Sequence, residues 1–422
     1  MPISALPRVP DRPATGTGDA ASAVIVRAPK LEAGRGGVNF GLRLGLLSLI
    51  GAAAIALQAG CSSPSNPAPV DAGVHWPTYM GNVARTPFLS QRVNSNPPSI
   101  MWSQAVGAAM RGMPIVTDEV IIAATTDRNI HTLNRLDGST YWRRKVHGPP
   151  VSPLVVGRVI YAGTEDRGQL ITLEAVEGED TWDFDLPSVA VPITLAGDTL
   201  FAATEDGSLF AIEPGQDEPI WQAIFPRKAS AGPLVVDGWV IYVAYDSIYL
   251  IDRIKAEPRS TAYSSEIFIG EVATDGEAIY LATEVGSLVA WSLPDLEFLW
   301  QASGFGNFAA GPVLVDSIGY AINRVGKLIR FDTGDGSTEI IADARGTVLT
   351  APVVVENGVL FGTMEGHLHF FSRNGEPIWE VELEGSIENP PFVYEGRIVL
   401  TLYGVAGSMI SAGSHGKIVE LR

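Results

Sequence analysis

Short apolar runs separated by polar turn signals recur from about residue 100 to the end of the chain. In one repeat, Leu234–Val236 and Trp239–Tyr242 flank Asp237-Gly238. Asp-Gly or Asn-Gly between β-branched runs is a strong hairpin signal, because the tight turn requires positive φ. The pattern therefore predicts short antiparallel strands, and we find no helical periodicity within the repeats.

Two further turns complete each repeat. A second turn, such as Glu205–Gly207, leads into a short strand, here Ser208–Ile212. A third turn, such as Asp137-Gly138, precedes the closing strand. Four short strands and three tight turns in about 40 residues are typical of one blade of a β-propeller.

A tryptophan returns in the closing strand at a near-constant period, and each of the last two gaps is twice as long as the others. The positions are Trp102, Trp142, Trp182, Trp221, Trp300 and Trp379. We assign Tyr263 and Ile341 to the two positions where the period predicts a tryptophan and the chain has none. These eight positions, at a period of about 40 residues, indicate a repeat architecture of eight blades. Seven blades remain the alternative if the repeat around Tyr263 is irregular.

The two ends of the repeat region predict how the ring closes. The last repeat stops at Gly416–Arg422, which matches the third strand of other repeats. Ser99–Trp102 has the pattern of a fourth strand with no blade before it. We therefore expect an all-β, eight-bladed propeller of four-stranded antiparallel blades over residues 99–422, closed by a clasp between N- and C-terminal strands. Closure also removes an exposed sheet edge.

The N-terminal region has the pattern of a secretory signal. Leu44–Leu57 is uncharged, follows Arg43 and ends in Gln58-Ala59-Gly60 before Cys61, the only cysteine of the chain. This apolar run is too short for an ordinary membrane span. The sequence around Cys61 resembles the lipobox of bacterial lipoproteins, although that pattern usually has Leu where Gln58 stands. The resemblance implies lipid attachment at Cys61, and a plain signal peptide cut nearby is the alternative.

These features divide the N-terminal region into three segments. Residues 1–60 form the signal region, and the composition of its first part, residues 1–37, suggests a true start near Val38. Residues 61–73 are rich in Ser, Pro and Ala and predict a flexible tether. Residues 74–98 form a lead-in segment. Ser62 after the cysteine, by resemblance to proteobacterial sorting rules, implies the periplasmic face of the outer membrane.

The charge balance excludes some partners. The signal region holds six Lys/Arg and three Asp/Glu, which leaves 23 basic and 44 acidic side chains and a formal net charge of −21 in the rest of the chain. Such a surface disfavours nucleic acid and broad contact with anionic lipid. It suits a basic protein partner, and an ordinary solvated acidic surface is the alternative.

We find no catalytic, cofactor-binding or metal-binding motif. With one cysteine there is no disulfide, zinc ribbon or haem attachment motif. His367, His369 and His415 suggest a transition-metal site. However, His369 stands where other repeats have Phe210 and His131, which favours an ordinary strand position. Asp332–Gly336 is a third-turn signal rather than a calcium loop.

The repeats resemble a known family. Gly232–Gly238 and Thr204–Ile212, with the closing tryptophan, are similar to pyrroloquinoline-quinone-type (PQQ-type) propeller repeats. His75–Thr86 is similar to the Trp-Pro…Gly-Asn…Arg-Thr segment that precedes many of these propellers. The resemblance covers residues 74–422 and implies that each tryptophan packs between neighbouring blades.

Two branches of this family imply different functions. The quinoprotein alcohol dehydrogenases use PQQ, calcium, an acidic base and often a disulfide. This chain has no cysteine for that bond and no long insertion; its longest excursion is Thr401–Ser414. The BamB branch comprises non-enzymatic lipoprotein scaffolds that bind an outer membrane barrel assembly protein. We expect the second branch, with no enzyme activity and no cofactor. A propeller that binds another cell-envelope ligand is the alternative.

One loop is a candidate protein interface. Gly304–Phe308 places Phe305 and Phe308 in a turn-like segment between two blades. Aromatic side chains in such a position suit contact with a partner protein. Core packing of both rings is the alternative.

Overall fold

The computed structural model describes residues 88–110, 112–166, 168–404 and 416–422. The predicted signal region, the tether, Cys61 and His415 lie outside these residues. The division of the N-terminal region therefore stays a prediction. Within the described residues there is no helix long and apolar enough to cross a membrane.

The described residues form 33 strands in eight sheets. The N-terminal strands are β1 (Phe88–Leu89) and β2 (Ile100–Ala105). The next three blades contain β3 (Ile115–Val116), β4 (Val120–Thr125), β5 (Asn129–Asn134), β6 (Thr140–Lys145), β7 (Pro150–Val156), β8 (Val159–Thr164), β9 (Gln169–Glu174), β10 (Asp180–Asp185), β11 (Thr194–Ala196), β12 (Thr199–Ala203), β13 (Ser208–Ile212) and β14 (Trp221–Ile224).

Blades 4 to 8 supply the remaining strands. They are β15 (Leu234–Val236), β16 (Trp239–Ala244), β17 (Ser247–Asp252), β18 (Pro258–Tyr263), β19 (Phe268–Thr274), β20 (Ala278–Thr283), β21 (Ser287–Ser292), β22 (Phe298–Ser303), β23 (Val313–Val315), β24 (Ile318–Ile322), β25 (Lys327–Asp332), β26 (Thr338–Asp343), β27 (Val353–Val355), β28 (Gly358–Gly362), β29 (His367–Phe371), β30 (Pro377–Glu382), β31 (Phe392–Tyr394), β32 (Arg397–Tyr403) and β33 (Gly416–Leu421).

Each blade is an antiparallel meander of four strands, consecutive in the chain in all blades but the last. The sheet of blade 7 has a fifth strand, because β1 pairs in parallel with β27. The first strands of several neighbouring blades contact each other, for example β11 with β15 and β23 with β27, so the first strands surround the central channel. The second and third strands are almost wholly buried, and their apolar side chains form the core between blades. This arrangement confirms the predicted eight-bladed propeller.

The clasp is also confirmed. β2 pairs antiparallel with β33 and so becomes the fourth strand of blade 8, with Ser103 opposite Val419. The pairing extends one step further, because Ser99 and Arg422 exchange backbone hydrogen bonds of 2.9 and 3.0 Å. The ring therefore closes through main-chain hydrogen bonds between the two ends of the propeller.

The tryptophans join successive blades. Five indole N–H groups donate to a carbonyl of the next blade or of the segment beside it at 2.9–3.1 Å, from Trp102 to Arg135, Trp142 to Ala175, Trp221 to Arg253, Trp300 to Thr333 and Trp379 to Asn94. The ring of Trp300 lies against Gly336, where a Cβ atom would come within 2.5 Å of it. The third-turn glycine is therefore required by the close approach as well as by its φ of +71°. Trp182 has no hydrogen-bond partner for its buried indole nitrogen among the described residues.

The assignment of Tyr263 to the fourth blade's missing tryptophan was wrong. Tyr263 ends β18 and is 59% exposed. Ser260 occupies the tryptophan position instead, and its hydroxyl donates to the Pro294 carbonyl of the next blade at 3.0 Å. In blade 6, Ile341 packs against the core, and its backbone lies beside Gly375, the third-turn glycine of blade 7.

Candidate binding surface

The two faces of the ring differ in the kind of chain segment they carry. Strand direction alternates within a blade, so the turn between the second and third strands lies at the same end as the connection to the next blade. We call this end the connector face. The opposite end, the hairpin face, carries the turns between the first and second and between the third and fourth strands.

Second turns on the connector face differ from blade to blade at one position. In blade 3 this position is Asp206, which accepts a hydrogen bond from the Thr204 hydroxyl at 2.6 Å. In blade 7 it is Glu365, which accepts from the Thr347 amide at 2.9 Å. In blades 5 and 6 it is Val285 and Val325, 61% and 60% exposed. Since valine cannot make these bonds, turn formation does not account for the two exposed apolar groups.

Further apolar side chains accompany these valines on the connector face. Tyr245 and Tyr263 of blade 4 are exposed, and Phe305, between blades 5 and 6, is half-buried. Together with Val285 and Val325 they form what we call the apolar strip, across three consecutive blades.

Main-chain hydrogen bonds make the base of the apolar strip continuous. Turns and connections alternate along it, with bonds of 2.7–3.2 Å from Phe268 N to Tyr245 O, Glu284 N to Ile267 O, Phe305 N to Gly286 O and Arg324 N to Asn307 O. The turns that carry the apolar side chains are therefore fixed relative to one another. A surface fixed in this way loses little conformational entropy when a partner binds.

Polar groups border the apolar strip. The Glu266 carboxylate accepts from the Thr283 hydroxyl at 2.7 Å and from the Gln301 amide at 3.1 Å. The Arg227 guanidinium lies 4.6 Å from the centre of the Tyr245 ring. An apolar centre with a polar rim is the usual composition of a protein–protein interface. The apolar strip is therefore the best candidate for contact with a partner protein.

The structure separates the two aromatic residues that the sequence suggested as an interface. Phe308 is fully buried in the core shared by blades 5 and 6, so it is not available to a partner. Phe305 packs against the same core from its edge and keeps part of its ring accessible. Of these two phenylalanines, only Phe305 remains a candidate contact residue.

Other exposed apolar side chains are scattered. Ile254, 77% exposed, and Leu136 lie in third turns on the hairpin face of blades 4 and 1. Phe298 and Leu299 lie on the outer strand β22. Single exposed apolar residues are common on soluble proteins and need no functional explanation. Ile254 is useful as a control position for the apolar strip.

The connector end of the central channel is acidic. A cavity of about 290 Å³ is lined by segments of several blades and includes Glu271, Glu388, Asn389 and Tyr403. Glu388 accepts a hydrogen bond from the Ser386 hydroxyl at 2.7 Å, and Asn389 donates to Thr401 and Tyr403. A smaller neighbouring cavity of about 90 Å³ also contacts both carboxylates and adds Thr350.

The described residues at this channel end do not fit PQQ. The quinone carries three carboxylates and needs cationic or hydrogen-bond donor groups around it. The ionisable groups that line the two cavities, among the described residues, are the Glu271 and Glu388 carboxylates and the Tyr403 phenol. Burial raises the pKa of Tyr403, so the phenol stays neutral. We therefore derive no quinone chemistry from this site.

The two described histidines of blade 7 face a carboxylate. The Nδ1 atoms of His367 and His369 lie 2.7 and 3.5 Å from the carboxylate oxygens of Glu380 on the next strand. His369 is buried, and this burial lowers its pKa. The described residues contain no group of three or more His, Cys, Asp or Glu placed to hold a metal ion.

His131, at the position of His369 in blade 1, makes stability depend on pH. Burial lowers its pKa to about 4 from an ordinary value of 6.5. The unfolded chain therefore binds a proton first as the pH falls, and the folded state loses up to about 3 kcal/mol between pH 6.5 and 4. We expect His131→Phe to reduce this loss, measured by urea unfolding at pH 7 and pH 4.5. If the free energy of unfolding falls as much between pH 7 and pH 4.5 in the variant as in the unchanged protein, His131 is not the cause. Some pH dependence of the unfolding free energy should remain in the variant, since the pKa of His369 is lowered in the same way.

Comparison with known proteins places the chain among named relatives. A family model described as outer membrane protein assembly factor BamB matches residues 92–190, 166–257 and 341–413, which together exceed half of the chain. BamB of Yersinia pestis is 25% identical over 309 residues, which cover 68% of this chain and 76% of that protein. BamB of Bordetella pertussis is 23% identical over 326 residues and 74% of each chain.

Solved structures share the fold. BamB from Moraxella catarrhalis superposes with a TM-score of 0.62 and 18% identity, over 78% of this chain and 98% of that one. A europium-containing methanol dehydrogenase superposes with a TM-score of 0.66 and 11% identity, over 82% and 98%. At these identities the superpositions establish the propeller and do not distinguish a scaffold from an enzyme.

Proposed function

Since the chain belongs to the family of outer membrane protein assembly factor BamB, we propose that it is a non-catalytic scaffold for outer membrane β-barrel assembly. In this proposal the protein is anchored by a lipid at Cys61 and acts on the periplasmic face of the outer membrane. It works through protein–protein contacts and needs no cofactor. Its partner is a barrel assembly protein.

The observation that carries this proposal is the apolar strip. Val285 and Val325 expose apolar side chains at turn positions where other blades place hydrogen-bonding carboxylates. A partner that covers exposed apolar groups on a rigid, hydrogen-bonded base gains from their burial and loses little conformational entropy. The net negative charge of the chain favours a partner with a basic surface, which also speeds association.

Charged substitutions in the apolar strip test this proposal. We expect Val285→Asp together with Val325→Asp to reduce recovery of the barrel assembly protein about tenfold or more, because a buried unpaired charge costs at least about 1.4 kcal/mol at an interface. The measurement is chemical crosslinking in native membranes, affinity purification and quantitative mass spectrometry.

The matched control is Ile254→Asp together with Leu136→Asp, which adds the same two charges at exposed positions in third turns on the hairpin face. Its recovery of the partner should equal that of the unchanged protein. Equal recovery with the double valine variant, or an equal loss with the control variant, would contradict binding through the apolar strip.

A further inference from the structure

The outer strands of blades 1 and 2 carry opposite charges at equivalent positions. In β6 the first and third residues after the tryptophan are Arg143 and Lys145, which we call the cationic stripe. In β10 the same positions hold Asp183 and Asp185, which we call the acidic stripe. All four side chains are exposed. No other blade has Lys or Arg at either position, so blade 1 is the exception in a chain of net negative charge.

The two stripes are not paired with each other inside the molecule. The ion pair that joins blades 1 and 2 is made by Arg144 with Asp180, and the cationic stripe forms no ion pair among the described residues. The acidic stripe accepts hydrogen bonds from a neutral group, the Gln169 amide, at 3.0 Å to Asp183 and 3.4 Å to Asp185. Both stripes therefore keep their charge for an interaction with another molecule.

The two stripes match in height along the ring axis. Blades are related by rotation about that axis, so equivalent positions in two blades lie at the same height. Arg143 and Asp183 share one height, and Lys145 and Asp185 share another, about 7 Å further along the strand. The ion pair between the blades shows that β6 and β10 are neighbours on the rim of the ring. The rim thus presents a cationic stripe beside an acidic stripe of the same length.

We propose that two copies of this chain associate side by side through the rims of blades 1 and 2. A twofold axis parallel to the strands, midway between the stripes, preserves height and places each stripe opposite the other kind. Arg143 of one copy then faces Asp183 of the other copy, and Lys145 faces Asp185, with each pair made twice. A twofold axis across the strands would place the cationic stripes against each other. The charge pattern therefore selects one arrangement.

The acidic outer strand of blade 7 fits this arrangement less well. Glu380 and Glu382 stand at the same two positions of β30 and are exposed. Blade 8 lies between blades 7 and 1, and its part of the convex rim would hold these carboxylates away from the cationic stripe of a second copy. Blades 1 and 2 are adjacent, so both of their stripes reach the contact together. Blade 7 therefore supplies a matched control.

The proposed dimer has a defined orientation. Because the twofold axis is parallel to the strands, the two ring axes are parallel and both connector faces point the same way. The apolar strip lies on blades 4 to 6, away from the dimer contact, and stays free for another protein. Anchoring both copies in one membrane, as in the proposed function, would raise their effective concentration.

Charge reversal tests the dimer. One variant combines Arg143→Glu with Lys145→Glu, and the other combines Asp183→Lys with Asp185→Lys. The full chain, purified in a non-ionic detergent, is measured by sedimentation equilibrium at low ionic strength. We expect each variant to raise the dissociation constant of the dimer at least about tenfold, because repulsion replaces attraction in all four pairs. Added salt should weaken the dimer of the unchanged protein, since the pairs are exposed.

An equimolar mixture of the two variants should associate again, because the acidic rim of one then faces the basic rim of the other. The control, Glu380→Lys with Glu382→Lys, makes the same charge change on blade 7 and should leave the dissociation constant unchanged. A cooperative thermal melt checks the folding of each variant. A monomeric unchanged protein would overturn the proposal and leave the charges only the role of keeping unpaired outer edges from aggregating. No recovery in the mixture, or an equal loss with the blade 7 control, would also overturn it.

Discussion

Replacing Gly336 with alanine is expected to lower the free energy of unfolding by about 2–5 kcal/mol, the sum of strained backbone and overpacking. Gly336 has a φ of +71°, and a Cβ atom there would lie 2.5 Å from the ring of Trp300. The ring must then move, and the hydrogen bond from its indole to the Thr333 carbonyl is lost. Urea unfolding followed by tryptophan fluorescence measures the effect.

Gly215 provides the matched control. It is the third-turn glycine of blade 3, with a φ of +88° and open space around its missing Cβ. Gly215→Ala should cost only the backbone strain, about 1–2 kcal/mol. Equal losses for the two variants would show that tryptophan packing contributes nothing measurable to the contact between blades.

Replacing Phe308 with serine is expected to cost about 3–5 kcal/mol, as for other large-to-small changes in a core. Phe308 is fully buried between blades 5 and 6, so the change leaves a cavity and a buried hydroxyl. Phe305→Ser should cost about 1–2 kcal/mol, because that ring is only half-buried. Thermal melts of both variants compare the two positions.

The two phenylalanines should also differ in function. Phe305→Ser retains a cooperative melt and weakens partner recovery, while Phe308→Ser lowers the melting temperature by several degrees. A Phe308→Ser protein as stable as the unchanged chain would contradict its place in the core. Reduced stability with unchanged binding for Phe305→Ser would remove Phe305 from the apolar strip.

Most of the fold could be predicted from the sequence, because residues close together in the chain specify the strands and turns of each repeat. Turn glycines, β-branched runs and tryptophans recur from blade to blade at nearly fixed spacing. The clasp was predictable too, since the last repeat lacks the strand that Ser99–Trp102 supplies. The strands and turns follow from neighbouring residues in the chain, and the clasp follows from the number of strands in each repeat.

The missing tryptophans show where local reasoning is insufficient. Ser260 stands midway between Trp221 and Trp300 in the chain, so the period alone points to it. Tyr263 was chosen because it is aromatic, but the position also accepts a hydroxyl that donates to the next blade. In blade 6 a local irregularity in the pairing of β25 and β26 makes Ile341, rather than Ile340, pack inward.

The apolar strip was only partly accessible from the sequence. Comparing second turns position by position would have singled out Val285 and Val325, where other blades have Asp206 and Glu365. Whether an aromatic residue such as Phe308 faces the core or solvent depends on the packing between two blades. The position of β1 in the channel depends on parallel pairing with β27, a strand of the seventh blade, for which the chain carries no local signal.

The central claim, a scaffold for outer membrane barrel assembly, is tested most directly by a crosslinked pull-down of the lipidated protein from native membranes. Partners are identified by mass spectrometry, with the Val285→Asp/Val325→Asp variant alongside. We predict that the unchanged protein recovers an outer membrane barrel assembly protein and that the variant recovers about tenfold less. Recovery of a different envelope complex, without any barrel assembly protein, would contradict the proposed function and leave the propeller fold unaffected.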